Sequence, residues 1–321
     1  MSKAIADIKL GIAIVNYCTP DLVIDCLKSL EAEAQKFSSC LVYVVDNCSP
    51  DNSSAQIKSF IKDAGFETWV TFINADKNGG FAYGNNLAIK PLLESGCDYI
   101  WLLNPDTVIF DSAAAKLVEF LQSNPLAGIA GSKQVNEQGE KLTSAFNYPS
   151  ILGELLTSAK LGILDRLLPN KVVPVHHPKN FHQYDWVSGA SLMAKRAVFD
   201  VVEKMDDDYF LYYEEVDFCF QAKARGFASY YVDESVIKHF VGASTGITNK
   251  VKPVPNYWFN SRRRFLIKSY GRLGAIGADF FHIVGLAIYT FKGLLKKDQA
   301  KLPPKYFSSF LSHSSFVKGI E

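Results

Sequence analysis

Residues 10–34, LGIAIVNYCTPDLVIDCLKSLEAEA, followed closely by residues 41–46, LVYVVD, decide the fold. Residues 10–15 are a short apolar run rich in β-branched side chains that stops at Asn16, the pattern of a strand buried on both faces. Thr19-Pro20-Asp21 then opens a helix, with Thr19 as N-cap and Pro20 at the first helical position. Leu22, Val23, Cys26, Leu27, Leu30 and Ala34 follow at helical spacing, and residues 41–45 form a second buried strand. Outward from this strand-helix-strand unit, residues 70–73 and 99–103 read as further strands and residues 56–64, 81–95 and 113–122 as helices, with Pro91 expected to kink or interrupt its helix. Such alternation predicts an α/β fold: a Rossmann-like, doubly wound, mostly parallel central sheet with helices on both faces and ligands at the C-terminal strand ends.

The 321 residues allow two modest domains, or one large one with a tail. With 48% apolar and 21% charged residues, 21 Gly and 13 Pro, the chain lies outside the collagen, disordered and disulfide-scaffold classes. The net charge of +1 conceals a polarised chain. Residues 261–321 hold eleven Lys/Arg against three Asp/Glu, or +8, whereas the first 260 hold 23 against 30, or −7. Nucleic-acid binders carry their basic excess through a domain or along its binding face, so no nucleic-acid partner is expected. An acidic body ending in a basic, aromatic tail suits an anionic membrane surface instead. The six cysteines form no CxxC pair, which argues against a zinc knuckle or redox pair and for reduced thiols in the cytoplasm. The N-terminal apolar run is too short for a signal peptide.

Polar residues gather where the fold rule puts a ligand: Asn16-Tyr17 after the first strand, Asp46-Asn47-Cys48-Ser49 after the second, Asn104-Pro105-Asp106 after the fourth. A carboxylate at a strand end, such as Asp46, can accept from a base or ribose. Asn78-Gly79-Gly80-Phe81, leading to Asn85-Asn86, gives a loop where absent side chains let backbone amides approach phosphate at a helix start. A turn with a Gly-rich helix entry explains the same residues equally well. Asp106 beyond a buried strand can hold Mg²⁺ or Mn²⁺ that keeps sites open for diphosphate oxygens. His239 is the candidate second ligand, although a His after a strand-like run is more often simply packed. Periodicity weakens over residues 131–185, where a less regular substrate region is expected. It returns at Trp186-Val187-Ser188-Gly189-Ala190 and in a helix over residues 210–225, closed by Gly226. Glu214, Glu215 and Asp217 at that helix's start either complement its dipole or include a general base, since adjacent carboxylates repel and one can keep a raised pKa.

Taken in order, Val15-Asn16-Tyr17, Val45-Asp46-Asn47-Cys48-Ser49, residues 78–86, Asn104-Pro105-Asp106, Gly189-Ala190 and Tyr213-Glu214-Glu215-Val216-Asp217 resemble the family 2 glycosyltransferases of the GT-A fold, nearest their rhamnosyltransferase-like branch. The resemblance spans roughly residues 8–270 and lies in the ordered set rather than in any one member. It implies inverting transfer of a sugar from a nucleoside-diphosphate donor, such as dTDP-rhamnose, to a hydroxyl of a glycan or lipid-linked acceptor in bacterial cell-surface polysaccharide synthesis. Carried over by position, Asn16, Tyr17, Asp46, Asn47, Asn78, Gly79, Gly80, Phe81, Asn85, Asn86, Asn104 and Asp106 would bind the donor, and Asp106 with His239 a divalent cation, Mg²⁺ or Mn²⁺. Trp186, Ser188, Gly189, Ala190 and Glu214 would meet the acceptor, with Glu215 or Asp217 as base. Two positions depart from the pattern. Asn104 replaces the first Asp of the DxD motif, removing a charge, and Glu215 stands where the base is usually Asp, an extra methylene that displaces the carboxylate by about 1 Å. These departures keep a non-catalytic or degenerate nucleotide-sugar-binding subunit as one alternative, and transfer of another sugar from a UDP donor is the other. The implied catalytic domain is residues 1–260, with a nucleotide half over about 8–130 and an acceptor half over about 131–260.

The remaining residues, 261–321, read as a helical tail. Residues 275–291 form an apolar stretch interrupted by Asp279 and His282, short for a membrane span of about 20 residues. Arg262-Arg263-Arg264 and Lys268 precede it, and Lys292, Lys296 and Lys297 follow. The stretch either lies in the plane of an anionic membrane, making the protein peripheral on the inner face of the cytoplasmic membrane, or packs on the body through Phe280, Ile283, Ala287 and Phe291. The coincidence of basic charge with apolar length favours the membrane.

Overall fold

The structure, a computed structural model, describes residues 3–160, 162–242, 252–295 and 302–318. Its strands are β1 (Lys9–Asn16), β2 (Ser39–Asp46), β3 (Val70–Asn74), β4 (Tyr99–Leu103), β5 (Thr107–Ile109), β6 (Ala127–Val135), β7 (Ala145–Phe146), β8 (His182–Tyr184), β9 (Trp186–Val187), β10 (Ser191–Lys195) and β11 (Ala228–His239). The central sheet runs β3-β2-β1-β4-β10-β6-β11-β5, with β8 added beside β11, and β7 and β9 make a separate two-stranded ribbon. β3, β2, β1 and β4 are mutually parallel, as are β6 and β11, whereas β10 and β5 run against their neighbours. The four strands expected from sequence are all present.

The helices follow from the alternation of side chains across these strands. Leu10, Ile12 and Ile14 of β1, Val42 and Val44 of β2, and Tyr99, Trp101 and Leu103 of β4 point to one face. Helices α1 (Pro20–Ala34), α2 (Ser53–Asp63) and α4 (Ala113–Ser123) cover it with Val23, Leu27, Leu30, Ile57, Leu117 and Leu121. Ala13, Val45, Ile100 and Leu102 point to the other face, beneath α3 (Gly80–Glu94). Because both faces are covered, the strands read as continuous apolar runs rather than as alternating ones. Thr19 precedes α1, but its hydroxyl does not cap it; Asn16 Oδ1 accepts from both the Thr19 N–H and its hydroxyl. Pro91 does not interrupt α3, which continues through it to Glu94, because the proline sits in the final turn, where few hydrogen bonds remain to be lost.

The stretch expected to be less regular holds α5 (Ile151–Ala159) and α6 (Gly162–Leu167) as well as β7 and β8. On the second sheet face, α7 (Arg196–Val202) and α8 (Glu214–Ala224) complete the layer. α8 starts four residues later than expected, since Tyr212 and Tyr213 adopt left-handed backbone, φ 70° and 71°, which no helix can include. The last two helices are α9 (Asn256–Leu295), broken at Gly271, and α10 (Tyr306–His313). The expected boundary at residue 260 therefore falls inside α9.

The tail is tied to the body by charge. Arg262 is buried and donates to Glu154 of α5 and to Asp279, at 2.8 and 2.6 Å. His282 Nδ1 meets Glu154 Oε2 at 2.7 Å, and the Ser315 N–H donates to Asp279. Burial alone would raise the Glu154 carboxyl, but Arg262 and His282 hold it down at about 2. Around this cluster Tyr148, Tyr209, Val216, Phe265, Leu266, Ala275 and Ala278 form a small core of their own. Asp279 and His282 are thus the inward face of α9, while Phe280, Ala287 and Phe291, which the packing alternative would bury, face solvent. The reason is that Arg262 and Glu154 need partners more than Phe280 needs cover. Replacing Arg262 by Ala strands two buried carboxylates and should cost about 3–5 kcal/mol in urea unfolding, with early amide exchange in α9. Because the Glu154 pKa is lowered on folding, this contribution is present above pH 4.5 and fades as pH falls toward 2.

Candidate active site

The sheet topology assembles the site. β1, β2 and β4 end at one edge of the sheet, where Asn16 pairs with Asp46. The antiparallel β10 begins at that same edge, with Ser191 opposite Leu103, so the Ser188-Gly189-Ala190 segment arrives beside Asn104. The Asn104 N–H donates to the Ala190 carbonyl at 3.1 Å. β11 ends there too, and its pairing with β5 sets His239 opposite Thr107, which brings the imidazole to Asp106. Here a cavity of about 560 Å³ is lined by Tyr17, Asn47, Asn78, Gly80, Phe81, Asn104, Asp106, Ser188, Gly189, Ala190, Glu214, Glu215 and His239, all singled out from sequence.

His239 Nε2 lies 3.4 Å from Asp106 Oδ1. On the other side of the ring, Nδ1 is 3.0 Å from Gln134 Oε1 of β6, which assigns the proton to Nδ1 and turns the Nε2 lone pair toward the carboxylate. Two electron-rich atoms at this separation call for a cation or proton between them. The donor set, one carboxylate oxygen and one imidazole nitrogen, fits Mn²⁺ or Mg²⁺ that completes its shell with phosphate and water. Among the described residues no group of three or more His, Cys, Asp or Glu gathers as a self-sufficient metal site.

Glu214 and Glu215 open α8, with Glu214 fully buried and Glu215 at the cavity wall. Burial pushes the Glu215 carboxyl up to about 7, against the helix's first backbone N–H groups. Burial and the charge of Glu215 raise Glu214 well above the usual carboxylate range. Near neutrality the pair therefore shares protons. Glu214 Oε2, Glu215 Oε2, Asn47 Oδ1 and Asn104 Oδ1 are buried acceptors without a hydrogen-bond partner among the described residues, and all four residues line the cavity.

Gly80 joins the two sides of the cavity. Its φ is +87°, and a Cβ there would stand 1.8 Å from the Phe210 carbonyl oxygen, which accepts from the Phe81 N–H at 2.9 Å. Asn47 Nδ2 donates to the Gly80 carbonyl and to Asn78 Oδ1, each at 3.0 Å, pinning the loop to the end of β2. Past Phe210, the left-handed Tyr212 and Tyr213 turn the chain so that α8 begins with its glutamates at the cavity; such strain gathers where function over-determines the backbone.

Seven of the residues picked from sequence do not line the cavity. Asn16 donates to Asp46 Oδ1 at 2.7 Å, and Ser49 donates to Asp46 from both its hydroxyl and its N–H, so these residues brace the strand ends. Gly79 makes room for the Tyr83 ring, Asn85 donates to the Phe81 carbonyl, and Asn86 both donates to and accepts from the Met205 backbone. Trp186 stacks on Phe146 with centroids 4.0 Å apart and donates to the Asn147 carbonyl; it packs the ribbon instead of offering a sugar platform. Asp217 turns away from the cavity to Lys268 of α9, 2.6 Å from its Nζ, which leaves Glu215 as the accessible carboxylate. Sequence reading missed the aromatic wall of Phe210, Tyr212 and Tyr257, in which Tyr257 lies 5.4 Å from the Phe210 ring and 6.2 Å from that of Tyr212. Tyr257 carried no signal, since it starts a helix far along the chain. Val241 and Gly242 also line the cavity.

The chain is 26% identical over 215 residues to a low-salt glycan biosynthesis hexosyltransferase of Haloferax volcanii, covering 67% of this chain and 61% of that protein. It is 24% identical over 247 residues to a dTDP-rhamnosyl transferase of Shigella flexneri, covering 75% of each. The chain spans about half to three fifths of the length of the first curated relatives it matches. In fold it resembles a mannosyltransferase from Pyrobaculum calidifontis solved with GDP-Man and Mn²⁺, with a TM-score of 0.53 at 11% identity over 92% of this chain and 77% of that one. The sequence profile of glycosyl transferase family 2 matches residues 11–148, the segment that carries β1 to β4 and the Asn104-Pro105-Asp106 turn, and over that segment the chain resembles the family.

Proposed function

We propose that this protein is an inverting glycosyltransferase that moves a hexosyl group from a nucleoside-diphosphate sugar to an acceptor hydroxyl. The observation that carries this reading is the union, in one cavity, of the Asp106–His239 pair with the raised Glu214–Glu215 pair. L-Rhamnose from a dTDP donor is the version supported by the name of the dTDP-rhamnosyl transferase relative, and the resemblance read from the sequence adds a glycan or lipid-linked acceptor in cell-surface polysaccharide synthesis.

Glu215 accepts the acceptor's hydroxyl proton as that oxygen bonds to the anomeric carbon, while the bond from this carbon to the diphosphate oxygen breaks. A single displacement of this kind inverts the anomeric centre and needs no covalent glycosyl-enzyme. Glu214, kept protonated beside Glu215, donates a hydrogen bond rather than competing for the proton. Asn47, Asn78 and the Gly80 backbone at the start of α3 face the nucleotide side. Asp106 and His239 would hold a divalent cation, whose charge supports the departing diphosphate when bound. The aromatic wall gives a sugar ring an apolar face to rest on.

A thermal-shift screen of dTDP-, UDP- and GDP-sugars with Mn²⁺ should single out one donor, since a bound donor stabilises only the folded state. Glu215→Gln should lower kcat by about 10²–10⁴-fold while leaving that donor shift intact; unchanged transfer would remove Glu215 from the reaction. Because the carboxyl must be ionised to act as base, wild-type kcat/KM should climb with pH up to about 7 and level off above it. Asp106→Ala should abolish the Mn²⁺-dependent part of the donor shift.

A further inference from the structure

The second segment of α9, residues 272–295, is turned inside out relative to an ordinary surface helix. Asp279, the only acidic residue in α9, is fully buried against Arg262, and His282 is buried against Glu154. The opposite face is apolar and open. Leu273, Phe280, Ala287 and Leu294 recur every seven residues, and Phe291 lies beside them. Leu273 is 84% exposed, Phe280 56%, Phe291 62% and Leu294 74%. The resulting stripe is about 33 Å long, well beyond the scattered single apolar residues that any surface carries.

We infer that this stripe is a docking surface for an anionic phospholipid bilayer, on which α9 lies in the membrane plane. The charge at its ends supports this occupant. Arg272 is exposed where the stripe begins, and at its far end Lys292 and Lys160 meet, Lys292 Nζ donating to the Lys160 carbonyl at 2.8 Å while Lys160 Nζ sits 4.7 Å from the Tyr289 ring. Cations bordering an apolar face, with no acid on the outer side of the segment, match an interfacial helix on anionic headgroups. By length and composition α9 could also cross a bilayer. Crossing would pull Asp279 and His282 away from Arg262 and Glu154, leaving Asp279 charged and unpaired in the bilayer, so the buried ion cluster holds the helix flat. Tyr257, at the other end of α9, lines the cavity. Docking would therefore carry the cavity toward the headgroups, where a lipid-borne acceptor presents its hydroxyl; only that last clause rests on the proposed function.

The test is co-sedimentation of the full chain with vesicles of phosphatidylcholine mixed with phosphatidylglycerol, and with phosphatidylcholine alone. The wild type should pellet with the mixed vesicles, less so at high salt, and return to the supernatant on an alkaline carbonate wash. Phe280→Asp/Phe291→Asp should reduce pelleting at least about tenfold, and Leu273→Asp/Leu294→Asp, at equally exposed positions, should do the same. Neither pair should alter the donor thermal shift, which reports on the cavity alone and so separates failure of this inference from failure of the enzymatic one. A wild type that stays in the supernatant with both lipids would overturn the inference. So would a carbonate-resistant pellet, which indicates a spanning helix, or a dimer in sedimentation equilibrium that the same substitutions dissociate, which indicates a second copy on the stripe.

Discussion

The antiparallel pairing of β5 with β11, which sets Thr107 opposite His239, is the constraint on which the site depends. Three parallel strands deliver polar termini to one edge of the sheet by the ordinary logic of crossover units, but parallel strands alone cannot bring residue 239 to residue 106. A short strand running back along the end of β11 does so. Gln134 of β6, next in the sheet, then fixes the ring so that its free nitrogen faces the carboxylate. The positions of Asp106, His239 and Gln134 are thus one consequence of sheet register, and a slip of one residue would point the imidazole to the other face.

The glutamate pair depends on a different contact, the approach of Gly80 to the Phe210 carbonyl. Only a residue without a side chain lets the loop before α3 and the loop before α8 share a hydrogen bond, and that closeness encloses Glu214 and Glu215. Enclosure then sets their chemistry. A carboxyl in water is a weak base, whereas one that burial has raised to about 7 is matched to working near neutral pH. The two sides of the cavity are mechanically one unit, and the same packing that unites them raises the Glu215 carboxyl.

The tail shows how ion pairing can overrule hydropathy. Arg262, once buried between α5 and α9, must keep both Glu154 and Asp279, because an unpaired buried charge costs more than an exposed Phe. The helix rotates to satisfy the arginine and turns its apolar side outward. Lys268, one turn past Arg264 on the same helix, takes Asp217 out of the cavity in the same way. α9 therefore bears on the site twice, by occupying one acid and by placing Tyr257 at the wall.

The sequence by itself determined the parallel strands, most of their helices, the polar strand ends and the resemblance they carry, because these are written in short-range patterns: apolar runs with polar stops, helical spacing, and glycines where a backbone must approach. Thirteen of the residues it singled out reached the cavity, since strand ends converge whatever the details. Only the tertiary structure decided that Asn16 and Asp46 brace each other, that Trp186 packs against Phe146, that Asp217 belongs to Lys268 and that Tyr257 joins the site. It also decided which face of α9 is buried. Each of those outcomes depends on a partner distant in the chain, and a polar or apolar side chain commits to a direction only when that partner is in place.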